Sequence, residues 1–331
     1  MPVPAGALRF NSDSGKLEYY NGEDWWQIDN FSADNATGGA RGVFGGGETA
    51  PALSNVIDYI TISTTGNAID FGDLYTVRGS GATSSTTRGL FFGGYAPTNS
   101  NNIHFITISS TGNSQDFGDL IAARTYPSGI SNGTRGVIGA GYSNLQTIEY
   151  VTIASTGNAV SFGSLTTQKG GGAGGASSST RGIFAGGYNP AGFLNVIDYI
   201  TISTLGNAAD FGDLSVARAA LAGCSNSIRG VFGGGAPAPS LLVNTIDYIT
   251  IATTGNAIDF GDLTVARQIQ QSACSSSIRG VFAGGNISPG SPVTNTIDYV
   301  TIMSVGNAID FGDLTVARNQ AGGLSNAHGG L

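Results

Sequence analysis

The sequence predicts an all-β fold, a six-bladed β-propeller of four-stranded blades preceded by a small N-terminal β-meander. Three observations predict this fold. One unit of about 47 residues recurs six times, each copy contains short strand patterns separated by turn residues, and helix-favouring lysine and glutamate are scarce. The chain also holds 53 glycines, and glycine in a helix interior costs roughly 0.5–1 kcal/mol relative to alanine.

An Arg-Gly dipeptide marks each copy of the repeat. Successive copies are 47, 47, 46, 48 and 50 residues apart, and they start at Arg41, Arg88, Arg135, Arg181, Arg229 and Arg279. Each copy continues with an apolar strand that ends at glycine, a variable loop, and a strand of the type Ile-Asp-Tyr-Ile-Thr-Ile. A Gly-Asn turn, Asp-Phe-Gly-Asp-Leu, Val-Ala-Arg and a stretch of small residues follow. This order predicts four short strands per copy.

The Ile-Asp-Tyr strand is apolar on both faces. In the first copy Ile57 and Tyr59 lie on one face, and Ile60 and Ile62 lie on the other. A strand of this kind belongs to a sheet that is packed between two other sheets, as a propeller blade is. The Gly-Asn dipeptide that follows predicts a tight turn with positive φ at both residues.

The small-residue stretch before each Arg-Gly predicts the innermost strand, where the blades converge and space tapers. Residues 319–331 repeat this stretch at the C-terminus. They are therefore the candidate for the inner strand of the first blade, with residues 33–40 as the alternative. Closure of this kind leaves no sheet edge open.

The order of these features resembles kelch repeats. A strand ends in Gly46-Gly47, the next strand carries the aromatic Tyr59, and a later aromatic and an arginine follow. The sequence departs from that family at two points, because Phe71 and its equivalents replace a tryptophan and Ala140 interrupts the diglycine of the third copy. The resemblance implies a propeller.

The charged residues of the repeats occupy fixed positions, which predicts a structural role. A catalytic site would lie in one place rather than in six, so we expect a network of structural Arg–Asp pairs. Its candidate members are Arg41, Arg78, Arg218, Arg267 and Arg318 with Asp70, Asp73, Asp210, Asp213, Asp259, Asp262, Asp310 and Asp313. We hypothesise that the arginine of Val-Ala-Arg bridges the carboxylates of Asp-Phe-Gly-Asp. In the third copy Ser161 and Ser164 replace both aspartates and Lys169 replaces the arginine, as this hypothesis expects.

Composition argues against several functions. The net charge of −8 and the pI of about 4.6 disfavour nucleic-acid binding, which needs clustered Lys and Arg. No stretch of 18 or more apolar residues predicts membrane insertion, and the N-terminus lacks the pattern of a signal peptide.

Catalytic and metal-binding side chains are also scarce. The two histidines, His104 and His328, lie far apart in unlike positions, so we expect no enzyme activity, no metal and no cofactor. Cys224 and Cys274 occupy the same position in neighbouring copies, which favours small buried side chains over a disulfide or a metal site.

The loops after the diglycine strands vary from 6 to 11 residues in length and are expected on the same side of the disc as the Val-Ala-Arg connections. Variable loops on a rigid frame are typical of binding surfaces. Aromatic and amide side chains that could stack on sugar rings and bind hydroxyl groups are Tyr95, Asn99, Tyr142, Tyr188, Asn189, Phe193 and Asn286. The alternative is that these side chains merely cover loop backbone.

Residues 1–36 form a predicted attachment segment, and residues 37–331 form the propeller. Residues 7–28 alternate apolar and polar side chains around turn residues, which predicts a β-meander. Its Trp25 and Trp26 would be costly if left bare, so the segment is expected to dock on a partner protein or on copies of itself.

The segment LRFNSDSGKLEYYNGEDW resembles the head segment of tail-fibre and other virion proteins of tailed bacteriophages. The Arg-Gly-Val-Phe repeats likewise resemble those of marine and cyanobacterial phages. These resemblances imply a non-enzymatic virion protein of the tail-fibre or receptor-binding type. Such a protein is made in the host cytoplasm, binds other virion proteins through residues 1–36 and recognises a host-surface glycan or protein through the variable loops.

Two alternatives remain open at this stage. One is a purely structural decoration or connector protein of the capsid or tail. The other is a soluble kelch-type scaffold that binds proteins.

Overall fold

The computed structural model describes residues 3–11, 16–27, 40–49, 52–75, 79–95, 98–142, 145–288 and 292–330. Every regular element in these ranges is a β-strand, and all the strands pair in antiparallel fashion. The predicted all-β class is confirmed. None of these residues forms a helix that could cross a bilayer. Arg78 of the predicted ion-pair network lies outside the described residues.

Six four-stranded sheets, numbered here by repeat, make up most of the described chain. In spatial order, sheet 1 contains Gly322–Ser325, Arg41–Gly45, Val56–Thr61 and Ile69–Asp73; sheet 2 contains Gly79–Ser84, Arg88–Tyr95, Asn102–Thr107 and Gln115–Asp119; sheet 3 contains Ser128–Ser131, Arg135–Gly139, Thr147–Thr152 and Val160–Ser164. Sheet 4 contains Gly174–Ser177, Arg181–Ala185, Val196–Thr201 and Ala209–Asp213; sheet 5 contains Ala222–Ser225, Arg229–Gly233, Thr245–Thr250 and Ile258–Asp262; sheet 6 contains Ala273–Ser275, Arg279–Asn286, Val293–Thr301 and Ile309–Asp313. A short hairpin, Tyr188–Asn189 with Gly192–Phe193, extends the loop of sheet 4.

The N-terminal strands form a separate three-stranded sheet, as the alternating pattern predicts. It consists of Leu8–Asn11, Lys16–Tyr20 and Trp25–Gln27 in that order. Leu8 pairs with Tyr19, and Tyr19 pairs with Trp26. These three side chains share one face of the sheet and remain exposed.

Each sheet buries apolar side chains on both of its faces. This confirms the prediction made for the Ile-Asp-Tyr strand, which is the third strand of each sheet. In sheet 1, Ile57 packs in a cluster with Ile106 of sheet 2, whereas Ile60 packs in a different cluster with Val281 of sheet 6. One strand therefore contributes to two cores, and each sheet is held between its two neighbours.

The Gly-Asn turns join neighbouring sheets at their outer strands. Gly66 N donates to the carbonyl of Phe311 at 2.8 Å, and Asn67 Oδ1 accepts from the backbone N–H of Asp313 at 3.1 Å. The predicted tight turn with two positive φ angles is wrong, because only Gly66 is positive, at 154°, and seven residues, 62–68, connect the strands. Asn67 occurs there because its amide oxygen holds the adjacent outer strand.

A glycine pair between sheets 5 and 6 gives a test of this packing. Gly261 and Gly306 both have φ values that other residues rarely adopt, 142° and 152°. A Cβ at Gly261 would lie 2.5 Å from the backbone of Gly306, whereas a Cβ at Gly306 would meet nothing within 4 Å. G261A is therefore expected to destabilise the fold by about 1–3 kcal/mol more than G306A. Equal losses in denaturant titrations of the two variants would contradict this packing.

The first strands of the six sheets contact one another in the cyclic order 1-2-3-4-5-6-1. As expected for the C-terminal stretch, Gly322–Ser325 pairs with Arg41–Gly45 and supplies the first strand of sheet 1. A serine repeats on these strands, and its hydroxyl donates to the carbonyl of the serine on an adjacent first strand at 2.6–2.8 Å in five of the six. The serines are Ser84, Ser131, Ser177, Ser225, Ser275 and Ser325. Cys224 and Cys274 are buried and free on two of these strands, as predicted.

His328 lies against this serine set, just beyond the last strand. Its Nε2 is 3.1 Å from Ser131 Oγ and 3.3 Å from the carbonyl of Ser84, and its Nδ1 accepts from Gly330 N at 3.1 Å. These contacts suit the neutral imidazole with its proton on Nε2. Burial lowers the pKa of His328 to about 4.

This pKa predicts an acid-sensitive contribution of His328 to stability. As the pH falls below about 6.5, His328 becomes protonated in the unfolded chain, whereas in the folded chain it stays neutral until about pH 4 because its pKa is lowered. The free energy of unfolding is therefore expected to fall by on the order of 1–2 kcal/mol between pH 6.5 and pH 4. This is less than the full pKa shift would give, because the side chain is only partly buried and solvent screens its charge. Thermal unfolding at pH 7 and pH 4.5 should show a smaller loss for H328Q than for the unaltered chain, and identical losses would refute the assignment.

Candidate functional site

Five buried ion pairs among the described residues link sheets 2 to 3, 3 to 4, 4 to 5, 5 to 6 and 6 to 1, but not through the predicted carboxylates. Arg267 Nη1 lies 2.8 Å from Asp298 Oδ2, and Arg318 Nη2 lies 3.0 Å from Asp58 Oδ2. The same position pairs Arg218 with Asp247, Arg124 with Glu149 and Lys169 with Asp198. The hypothesis that Asp-Phe-Gly-Asp supplies the partners is wrong for these five residues, since each of them pairs with the carboxylate at the Ile-Asp-Tyr position of the next sheet.

The correction applies to the aspartates named from the sequence. Asp70, Asp73, Asp210, Asp213, Asp259, Asp262, Asp310 and Asp313 lie on the outermost strands, whereas the arginines are fully buried beneath the third strand of the following sheet. Lys169 also has its carboxylate partner, Asp198, at 3.8 Å. The loss of two aspartates at Ser161 and Ser164 therefore does not explain why lysine replaces arginine at position 169.

The buried carboxylate has a second partner, three residues before the arginine. In sheet 1, Asp58 accepts from Thr315 Oγ1 at 2.6 Å and from Thr315 N at 3.2 Å. Where isoleucine replaces the threonine, at Ile121, the carboxylate is the longer Glu149, which still reaches Ile121 N at 2.7 Å. In this copy the longer carboxylate keeps the backbone contact, although isoleucine has no hydroxyl group to donate.

The Arg-Gly arginines have another role, so the placement of Arg41 in an Arg–Asp network is wrong. Its guanidinium stacks 4.4 Å from the ring centroid of Tyr59, and Nη1 donates to the carbonyl of Ile108 in sheet 2 at 2.8 Å. All six copies repeat this stacking, and Arg279 of sheet 6 donates to Ile62 of sheet 1. These contacts hold neighbouring sheets together and recur around the whole set, so they carry no function specific to one location.

Residues that differ from copy to copy meet at the loop end of the sheets. There the residue that follows the second glycine of the diglycine position pairs with the residue that directly follows the arginine or lysine of the Val-Ala-Arg position. These pairs are Glu48 with Asn319, Tyr95 with Gly79, Tyr142 with Thr125, Tyr188 with Gly170, Ala236 with Ala219 and Asn286 with Gln268. The two kinds of connection therefore lie side by side, as the sequence predicts. We call the surface formed by these pairs and the residues just inside them the mouth.

The predicted binding residues have different environments at the mouth. Tyr95, Tyr142 and Tyr188 are 48%, 59% and 38% exposed. Asn99 accepts from Thr125 Oγ1 at 2.6 Å, and Asn286 Oδ1 accepts from Asn319 Nδ2 at 2.8 Å.

The hairpin of sheet 4 holds the last two predicted residues. Phe193 packs edge-on against Tyr188, with ring centroids 5.5 Å apart. Asn189 lies in the same hairpin, and its Oδ1 accepts from Ala191 N at 2.8 Å. These two therefore shape the loop, while the three tyrosines present open ring surface.

The mouth residues that lie just inside the six pairs have an uncommon backbone conformation. Tyr126, Ala220 and Gln320 each lie two residues after a buried arginine and have φ of 56°, 58° and 59°; Gln270 and Gln271 have φ of 46° and 38°. A left-handed non-glycine residue costs roughly 1–3 kcal/mol and marks functional sites more often than chance. Sequence reasoning missed these residues. One signal in the sequence could have indicated them. The third copy has Gly171 two residues after Lys169, whereas other copies have a non-glycine residue at the same position.

The side chains of this inner set converge from different sheets. Gln271 Nε2 donates to the carbonyl of Tyr126 at 3.3 Å, although the two lie at the starts of sheets 6 and 3. Gln320 Nε2 donates to Glu48 Oε2 at 3.1 Å. Burial and the nearby Glu48 carboxylate raise the pKa of Tyr126, opposed by a hydrogen bond with Gln320. Tyr126 therefore stays protonated and belongs to the same polar network as Glu48.

No family model matches the chain, and no curated protein matches it.

Below the mouth, the first strands of all six sheets line one cavity of about 50 Å³. This volume holds a few water molecules but no sugar ring. Within the described ranges no three His, Cys, Asp or Glu side chains are grouped as metal ligands.

Proposed function

We propose that residues 37–331 form a six-bladed β-propeller whose axis runs through the serine-lined cavity. Three features support this proposal: the cyclic contacts of the first strands, the repeated ion pairs between successive sheets, and the contact of Arg279 with Ile62, which joins the last sheet to the first. In a propeller each blade covers the apolar faces of its neighbours, and the radial repetition leaves only short, protected sheet edges. A crystal structure with the sheets stacked in a line, or with another number of wedges, would contradict it.

We further propose that the protein is a non-enzymatic virion protein of a tailed bacteriophage, attached through residues 1–36, that recognises the host surface with the mouth. One observation carries the recognition role. In the described residues the side chains of the ion pairs and stacks repeat around the molecule, whereas those of the mouth differ from sheet to sheet. A surface whose residues differ on an otherwise repeated frame is the expected place for specific binding.

The attachment role rests on the N-terminal sheet. Trp26 is 56% exposed and Leu8 is 62% exposed on the face that they share with Tyr19. Trp25 lies elsewhere, 4.1 Å beneath the guanidinium of Arg9 and 5.3 Å from the ring of Tyr20. Of the two tryptophans, Trp26 is therefore the one available to another virion protein or to a second copy.

Adsorption of the full chain to cells tests the recognition role. The protein, labelled at its N-terminal amine, is mixed with a panel of marine and cyanobacterial cells. Saturable binding to some strains, lost when Tyr95 and Tyr142 are both changed to alanine, supports recognition through the mouth. Binding that instead depends on Trp26, or no binding to any strain, favours the rival proposals of a decoration protein or of a kelch-type scaffold for proteins.

A further inference from the structure

The mouth has two chemically different halves. The exposed or partly exposed aromatic side chains Tyr95, Tyr126, Tyr142 and Tyr188 come from sheets 2, 3 and 4 and the connections that enter them. The other half carries amides from the end of a strand of sheet 6 and from the connections that enter sheets 6 and 1, namely Asn286, Gln270, Gln271, Asn319 and Gln320. A ligand that spans the mouth therefore meets ring faces on one side and amide groups on the other.

The amide half contains hydrogen-bonding atoms that have no partner in the protein. Gln270 Oε1, Asn319 Oδ1 and Ser272 Oγ are all unpartnered, and their residues are only 8%, 4% and 1% exposed. Buried polar atoms without partners are uncommon in folded proteins and each carries a cost of about 1–3 kcal/mol. The two amide oxygens are acceptors, so they fit a ligand that donates hydrogen bonds from several hydroxyl groups.

The charges around the mouth further restrict the class of ligand that could bind there. Among the described residues, the basic side chains beneath the mouth are fully buried and paired with carboxylates, and they are Arg124, Lys169, Arg218, Arg267 and Arg318. At the outer edge of the mouth, the structure describes one charged side chain among the paired residues, the carboxylate of Glu48. An acidic sugar or a phosphate would face this carboxylate, and the basic side chains described at this end are all buried, so none of them offsets the repulsion.

We infer that the mouth binds a neutral saccharide, with one face of a sugar ring stacked on the tyrosine half and its hydroxyl groups donating to the amide half. This inference rests on the proposed recognition role and specifies its ligand class. Stacking on Tyr95 and Tyr142 supplies most of the contact area. The orphan acceptors Gln270 Oε1 and Asn319 Oδ1 are shielded from solvent in the free protein, and a change of side-chain rotamer would turn them toward the sugar hydroxyls. The left-handed backbone at residues 270, 271 and 320 fixes where the three glutamines of this half start.

Saturation-transfer-difference NMR on the full chain tests the inference. The probes are the methyl glycosides of glucose, galactose and mannose, with glucuronate and sialic acid as the acidic set. Transfer to at least one neutral glycoside is expected, with affinity reduced about tenfold in Y142A and more in a Y95A/Y142A double variant. The control L205A alters an exposed side chain on the opposite, Gly-Asn end and should bind as the unaltered chain does.

Two further results separate this inference from the proposed function. Transfer only to the acidic sugars, or transfer to a neutral glycoside that the tyrosine substitutions leave unchanged, overturns the saccharide assignment. If labelled protein adsorbs to cells through the mouth but neutral sugars and periodate treatment of the cells leave adsorption intact, recognition stands and the ligand class is wrong. If no cell adsorbs the protein and no sugar binds to it, the proposed recognition role and the saccharide assignment are both wrong.

Discussion

Replacing Arg267 with alanine is expected to lower the free energy of unfolding by about 3–5 kcal/mol, the usual cost of leaving one member of a buried ion pair without its partner. Arg267 and Asp298 are both fully buried, and Nη2 of the arginine also donates to the carbonyl of Phe282 at 3.3 Å. The variant keeps the carboxylate in place, held by Thr264 Oγ1 at 2.6 Å but with no positive charge beside it. Urea titration followed by circular dichroism measures the loss.

Two further variants separate charge from packing. R279A removes a guanidinium that is only partly buried, stacked 4.5 Å from the ring centroid of Tyr299, and should cost about 1 kcal/mol. Combining R267M with D298N removes the uncompensated charge and should recover part of the loss of R267A. If R267A and R279A cost the same, or if the double variant is less stable than R267A, the ion pair is not what holds sheets 5 and 6 together.

The repeated part of the fold could be predicted from the sequence because six copies act as an internal alignment. The two-faced strand at Ile57 and the small residues of the first strands each have a direct physical meaning, and both are found as predicted. The turn at Gly66-Asn67 was not predictable in detail, because Asn67 serves the neighbouring sheet rather than its own turn. A local rule for turns contains no information about that neighbour.

The ion pairs and the inner mouth residues were misjudged or missed for a related reason. Counting charges shows that two arginines and three aspartates recur in a typical copy, but it does not show which carboxylate lies beside Arg318. That carboxylate belongs to Asp58, which is 260 residues away. Tyr126, Gln270 and Gln320 follow the buried arginines in a stretch read only as small-residue strand. Their importance comes from a backbone conformation and from convergence of separate sheets, neither of which a linear pattern contains.

Deletion of residues 322–331 is expected to have the largest effect on stability of any change considered. The deletion leaves Arg41–Gly45 without its neighbouring strand, removes the buried Leu324 from its core cluster, and takes Ser325 out of the serine set. Loss of a buried leucine alone costs about 2–5 kcal/mol, and whole domains are stable by only about 5–15 kcal/mol. The truncated chain should therefore show no cooperative thermal transition at neutral pH.

A peptide supplied in trans makes this prediction sharper. The synthetic segment of residues 322–331 should restore a cooperative transition to the truncated chain in a concentration-dependent manner, since binding to the folded state alone stabilises it. The same peptide with Leu324 changed to aspartate should not, because the carboxylate would be buried against Phe91 and Ile106. A shorter deletion, of residues 327–331, keeps the strand and should melt cooperatively. If the longer deletion melts like the full chain, the strand beside Arg41–Gly45 comes from elsewhere, and residues 33–40 become the segment to test.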